Sequence, residues 1–147
     1  MTRVHITLYG EAASKANSRQ IVEIDGKPAS IKSEKARNFG RDALRQIPPS
    51  ARVRMEGPVR VSMVIYYASE RPDLDESLVL DLLQDQWGKA PVLRGVARGA
   101  RPLLQNGVYR NDRQVREKHV YHRIDRKSPR VEVLVEPLPA PAGGKEE

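Results

Sequence analysis

The nine residues from Val59 to Tyr67 constrain the fold more than any other stretch of the chain. Val59, Val61, Met63, Ile65 and Tyr67 recur at every second position, the period of a strand with one face in a core. A strand of this kind needs partner strands beside it and a second layer over its apolar face. The rest of the chain supplies both. Val4, Ile6 and Leu8 alternate with polar neighbours up to Gly10, and Val131, Val133 and Val135 alternate in a last strand. Ile21 to Ile24 reads as a strand, and Asp25-Gly26 as a hairpin turn, because both residues tolerate positive φ. Ser30 to Lys32 is the expected returning strand.

Two helices complete the inventory. Ser33 is placed to cap the first, in which Ala36, Phe39, Ala43, Leu44 and Ile47 share a face until Pro48-Pro49 ends it. The opposite face carries Lys35, Arg37, Arg41 and Arg45, either a solvated surface or a DNA contact. The second helix is expected from Glu76 to Trp87, with Leu78, Val79, Leu82, Leu83 and Gln86 inward. Asp81 and Asp85 would then point into solvent. Val115 to Ile124 reads as a further strand that forms a hairpin with the last one through a turn at 125–129, with Val120, His122 and Ile124 on one face. These elements predict an α+β fold: a mixed, largely antiparallel sheet with two main helices packed on one face.

The length of 147 residues fits one domain with a single core. Its expected extent is 1–136, followed by a disordered tail at 137–147 that holds three prolines and two glycines. The segment Gly88 to Asn106 has no clean period, and carries Lys89, Arg94, Arg98 and Arg101 without a single acid. Two readings of it stand, a DNA-contacting flap and a floppy insertion.

The net charge of +7 calls for a polyanionic partner, since neutralising phosphates releases counterions. An anionic membrane would satisfy the same charge, but the sequence offers no long apolar run, signal peptide or basic amphipathic helix. Cysteine is absent, which excludes disulfides, thiolate zinc sites and a cysteine nucleophile, and is compatible with a cytoplasmic location. His5, His119 and His122 are too scattered for a zinc site, and His5 reads as structural.

Acidic residues are gathered at two places. In Arg71-Pro72-Asp73-Leu74-Asp75-Glu76, an extended backbone would point Asp73 and Asp75 the same way, toward one cation or two adjacent ones. Asp75 serves equally well as an N-cap for the helix that follows. The second island is Asn111-Asp112-Arg113-Gln114-Val115. A basic chain that keeps a few acids together suits a metal held against phosphate.

In the order of its elements and in these two motifs, the chain resembles the RusA family of Holliday-junction resolvases, small metal-dependent endonucleases of bacteria and their phages. The matching residues are Asp73-Leu74-Asp75 at a helix start and Asp112 followed closely by Gln114-Val115 and a strand. Weaker echoes are Ser14 to Asn17 and Ser30 to Ser33. The resemblance implies Asp73, Asp75 and Asp112 as catalytic metal ligands for Mg²⁺ or Mn²⁺, with Glu76 a further candidate. It also implies a homodimer that makes paired cuts in four-way DNA junctions during recombination and repair. Expected DNA contacts are Lys15, Asn17, Arg19, Arg71, Lys89, Arg94, Arg98, Arg101 and His122. The chain departs from the family pattern at Glu76, where Asn is usual, at Val79, where Lys is frequent, and in the length of 88–106. A non-cleaving branched-DNA-binding protein of the same fold is the main alternative. A glycosyltransferase using Asp-x-Asp is another, disfavoured by the short chain and the lack of a nucleotide-binding βαβ pattern.

Overall fold

The structure, a computed structural model, describes residues 3–97 and 99–139. The expected DNA contact Arg98 and positions 140–147 of the expected tail lie outside the described residues.

In chain order the elements are β1 (Val4–Tyr9), β2 (Arg19–Ile24), β3 (Lys27–Lys32), α1 (Glu34–Gln46) and β4 (Val59–Tyr67). They continue with α2 (Ser77–Leu83), the short strands β5 (Gln86–Trp87), β6 (Val92–Leu93), β7 (Val96–Ala97) and β8 (Leu103–Gln105), then β9 (Val115–Ile124) and β10 (Arg130–Pro137). Single 3₁₀ turns occupy Pro49–Ala51 and Asp112–Gln114. The fold is α+β, and its main sheet has the order β1-β10-β4-β9, antiparallel except for the parallel pair β4 and β9.

The alternation read from the sequence sets the core. Val4, Ile6 and Leu8 of β1, Val59 to Tyr67 at odd positions of β4, and Val131, Val133 and Val135 of β10 are buried on one face. Phe39 and Ala43 of α1, Ile47 at its C-cap, and Val79, Leu82 and Leu83 of α2 cover that face. Ser33 caps α1 as expected, its hydroxyl accepting the Ala36 N–H at 3.1 Å. The Asp25-Gly26 turn has φ of 52° and 77°, the paired positive values of a type I′ hairpin. The hairpin is longer than expected, since β3 begins at Lys27 rather than Ser30.

Three expectations are corrected. First, β9 and β10 form no hairpin. β10 lies between β1 and β4, and β9 pairs with the far side of β4. The chain leaves Ile124, crosses the end of β4 where the Asp125 N–H meets the Tyr67 carbonyl at 2.8 Å, and returns along β4's other side. Burial accounts for the order: the valines of β10 are fully buried, whereas Arg116, Glu117, Lys118, His119 and Arg123 suit β9 to an edge.

Second, α2 ends at Leu83, four residues before Trp87, and Gln84 is extended with φ −88° and ψ 169°. Helical spacing therefore does not reach Asp85, which is buried instead of solvated. Third, 88–106 is not a structureless loop. β5 pairs with β8 and β6 with β7, making a narrow two-stranded arm whose tip turn, Arg94-Gly95, has φ of 53° and 77°.

Candidate acidic site

The chain from β4 to α2 is held down by Tyr67. Its buried hydroxyl donates to the Asp73 carbonyl at 3.2 Å and accepts the Asp75 N–H at 3.3 Å. Burial, with repulsion from Asp75, Glu11 and Asp73, raises its pKa. From there the motif runs along the helix-side face of β9. The His122 ring lies 4.9 Å from that of Tyr67, and its Nε2 is 3.2 Å from the Pro72 carbonyl. Four positions earlier in β9, on the same face as Val120, Lys118 places Nζ 2.6 Å from Oε2 of Glu76. That ammonium lowers the Glu76 pKa. Thus Pro72 sits at His122 and Glu76 at Lys118, while Asp112 immediately precedes β9.

The far end of α2 is joined to the second island by a dense set of bonds. The Val108 N–H donates to the Leu83 carbonyl at 2.7 Å, and the Asp112 N–H to Oε1 of Gln84 at 3.0 Å. Buried Asp85 accepts the Gly107 N–H at 2.8 Å and pairs with Arg54 at 2.9 Å. Gln114 accepts the N–H groups of Arg110 and Asn111, at 2.8 and 2.9 Å, and donates to the carbonyls of Met55 and Gly57, both at 2.8 Å. The Gln of the second motif is therefore a structural clamp.

This clamp brings Asp112 into the neighbourhood of α2. Asp81, half-buried on that helix, has a raised pKa, chiefly because burial disfavours its charge and further because Asp112 and Asp75 repel it. Lys32 partly offsets the rise. A cleft of about 230 Å³ at Asp112 is lined also by Leu80, Val115, Arg116, Glu117 and Lys118. Asp73 belongs to the other end of the stripe, exposed beside Pro72. Among the described residues, no three acidic or histidine side chains converge as a formed metal site. Asp75 is not the N-cap expected, since that position is Glu76, but its Oδ1 accepts the Ser77 N–H at 3.0 Å and the Ser77 hydroxyl at 2.7 Å just outside the helix. In kind, the all-oxygen donors fit a hard divalent cation such as Mg²⁺ or Mn²⁺.

No family model matches the chain, and no curated protein is significantly similar to it.

The expected DNA contacts are dispersed. Lys15 and Asn17 are exposed on the loop that meets the motif, where the Lys15 N–H lies 3.4 Å from the Asp73 carbonyl. Arg19 braces the β2–β3 hairpin through Ser30, and Arg101 braces the arm through the carbonyls of Gly88 and Trp87. Arg71, Lys89 and Arg94 are exposed. Two further residues at the site, Asp81 and Lys118, were not among the expected ones. Lys118 was within reach of the sequence, because counting back by two from Ile124 through His122 and Val120 arrives at it. Among the described residues, no helix is long and apolar enough to cross a membrane.

Proposed function

We propose that the chain is a metal-dependent endonuclease that acts on branched DNA, in the manner of the junction resolvases its motifs resemble. One observation supports the reading: the Asp112 N–H bonds the Gln84 side chain at the end of the helix that Asp75 precedes, so acids from two segments far apart in sequence come near one another on a strongly basic protein, and repulsion from Asp112 and Asp75 adds to the burial that raises the Asp81 pKa. Gathering like charges is costly unless a cation offsets them.

The acids that would hold the ion are Asp75, Asp81 and Asp112, which among the described residues do not converge as formed ligands and would have to close on it. A bound Mg²⁺ or Mn²⁺ would activate water and compensate charge on the leaving oxygen. The chain's own part is to hold the acids and to meet the phosphate. Lys118, anchored on β9 by Glu76, places a cation at the cleft's rim where the backbone of a nucleic acid would pass. Two copies related by a dyad would match the approximate two-fold symmetry of a four-way junction, and the setting would be the cytoplasm.

The test uses a labelled four-way junction, a duplex control and Mg²⁺, Mn²⁺ or chelator. The parent cuts the junction only with metal, and Asp112→Asn or Asp75→Asn nearly abolishes cutting. Independently of activity, Mg²⁺ raises the melting temperature of the parent and not of Asp112→Asn. Normal cutting by Asp112→Asn sinks the assignment. The engagement of Asp75 by Ser77 favours one rival, a non-cleaving branched-DNA binder, which junction binding without cutting in either metal would establish.

A further inference from the structure

The arm between α2 and the second acidic island presents an apolar tip to solvent. β6 and β7 pair Leu93 with Val96 across the Arg94-Gly95 turn, so these two side chains share one face. Leu93 is 60 % exposed, Val96 53 % and Val92 67 %. The base of the arm is fixed, with the Gly88 N–H on the Pro102 carbonyl at 2.8 Å and the Arg101 guanidinium on the Gly88 carbonyl at 2.8 Å. The tip is thus an apolar point on a braced stem.

Charge identifies what such a point would meet. The segment 88–106 contains Lys89, Arg94, Arg98 and Arg101 and no acid, so every charged residue in the sequence of the arm is a cation. Cations flanking an apolar wedge are the pattern by which proteins grip phosphates while inserting Leu, Ile or Met between bases. The arm also leaves the chain just after α2 and returns before the second island, so its two roots lie at the join where the end of α2 meets residues 107–110.

Resting on the reading of the chain as a branched-DNA nuclease, we propose that Leu93 and Val96, with Val92, form a wedge that inserts at the unstacked bases of a DNA branch point. The basic residues hold the arm on the flanking phosphates. Continuous duplex offers the wedge no open step without unstacking, so the tip confers preference for branched over linear DNA.

The experiment compares the full chain with Leu93→Thr/Val96→Thr, a pair that places strand-favouring β-branched residues at both positions of an exposed hairpin. Binding is measured in chelator on a four-way junction and on a duplex of the same sequences. The double variant loses roughly tenfold in junction affinity while duplex affinity changes less than about threefold. A second measurement needs no variant: permanganate reactivity of thymines at the branch point rises when the parent binds. An unchanged junction preference, or branch-point thymines that stay protected, overturns the wedge while leaving the nuclease reading intact. A parent that binds neither DNA overturns both. A parent dimer that the substitutions convert to monomer, seen by light scattering, overturns the wedge by showing that the tip packs on a second copy.

Discussion

Asp85 is the residue on which the site's geometry depends most, although it touches none of the cleft. Its carboxylate is 1 % exposed and holds the Gly107 N–H and the Arg54 guanidinium, while Arg54 adopts φ 53° and bonds the Gly107 carbonyl through its own N–H. Asp85→Ala leaves a guanidinium and an amide without their partner. The expected loss is about 3 kcal/mol in a urea melt, toward the lower end for a broken buried pair because Arg54 remains one-third exposed. Asp81 should behave in the opposite way. Its folded pKa is raised above the ordinary 3.8, mainly by burial, so its charge opposes folding at neutral pH. Asp81→Asn is therefore expected to raise the melting temperature at pH 7. That gain should shrink as pH falls through the raised value and vanish below the ordinary one; a gain constant with pH would contradict the assignment. The sequence offered both acids but misjudged their surroundings. Helical periodicity put Asp81 and Asp85 in solvent, and periodicity carries no information on where the helix stops or what folds back against its end.

At the scale of elements, the join between the end of α2 and the approach to β9 is a close backbone-to-backbone contact at Gly107. A Cβ on Gly107 would lie 2.3 Å from the Gln84 carbonyl carbon, 2.5 Å from the Asp85 nitrogen and 2.5 Å from the Leu83 oxygen. All three are backbone atoms, so no side-chain rotation relieves the contact. Gly107→Ala is expected to destabilise the fold by about 3 kcal/mol and to separate the two acidic segments. Unchanged chemical denaturation would refute this close approach. The individual strands were legible because each has its own signal: β4, β9 and α1 lie within a residue or so of where alternation and capping put them. Their partnership was not. A turn of five residues between β9 and β10 is compatible with a hairpin and equally with a step across one intervening strand, and local sequence does not distinguish the two. The charge on β9 was the available clue, since a strand that carries Arg116, Glu117, Lys118 and His119 in succession belongs at an edge.

For the whole molecule, the sheet order predicts a gradient of local stability. β10 is flanked on both sides and buries Val131, Val133 and Val135 completely, while β2 and β3 pair only with each other and the arm strands are two or three residues long. Amide hydrogen exchange should be slowest in β10 and β4, faster in β2 and β3, and fastest in the arm. Arm amides as slow as those of β10 would contradict this. The inner position of β10 has one more consequence. The last strand in sequence is the one that joins β1 to β4, so on the ribosome the first strand has no partner in the main sheet until nearly the whole domain has emerged. Such distant pairings slow folding and leave apolar strand faces uncovered meanwhile. The nascent chain is therefore expected to stay protease-sensitive up to Ile124, and to gain resistance in one step once residues 130–137 have cleared the exit tunnel.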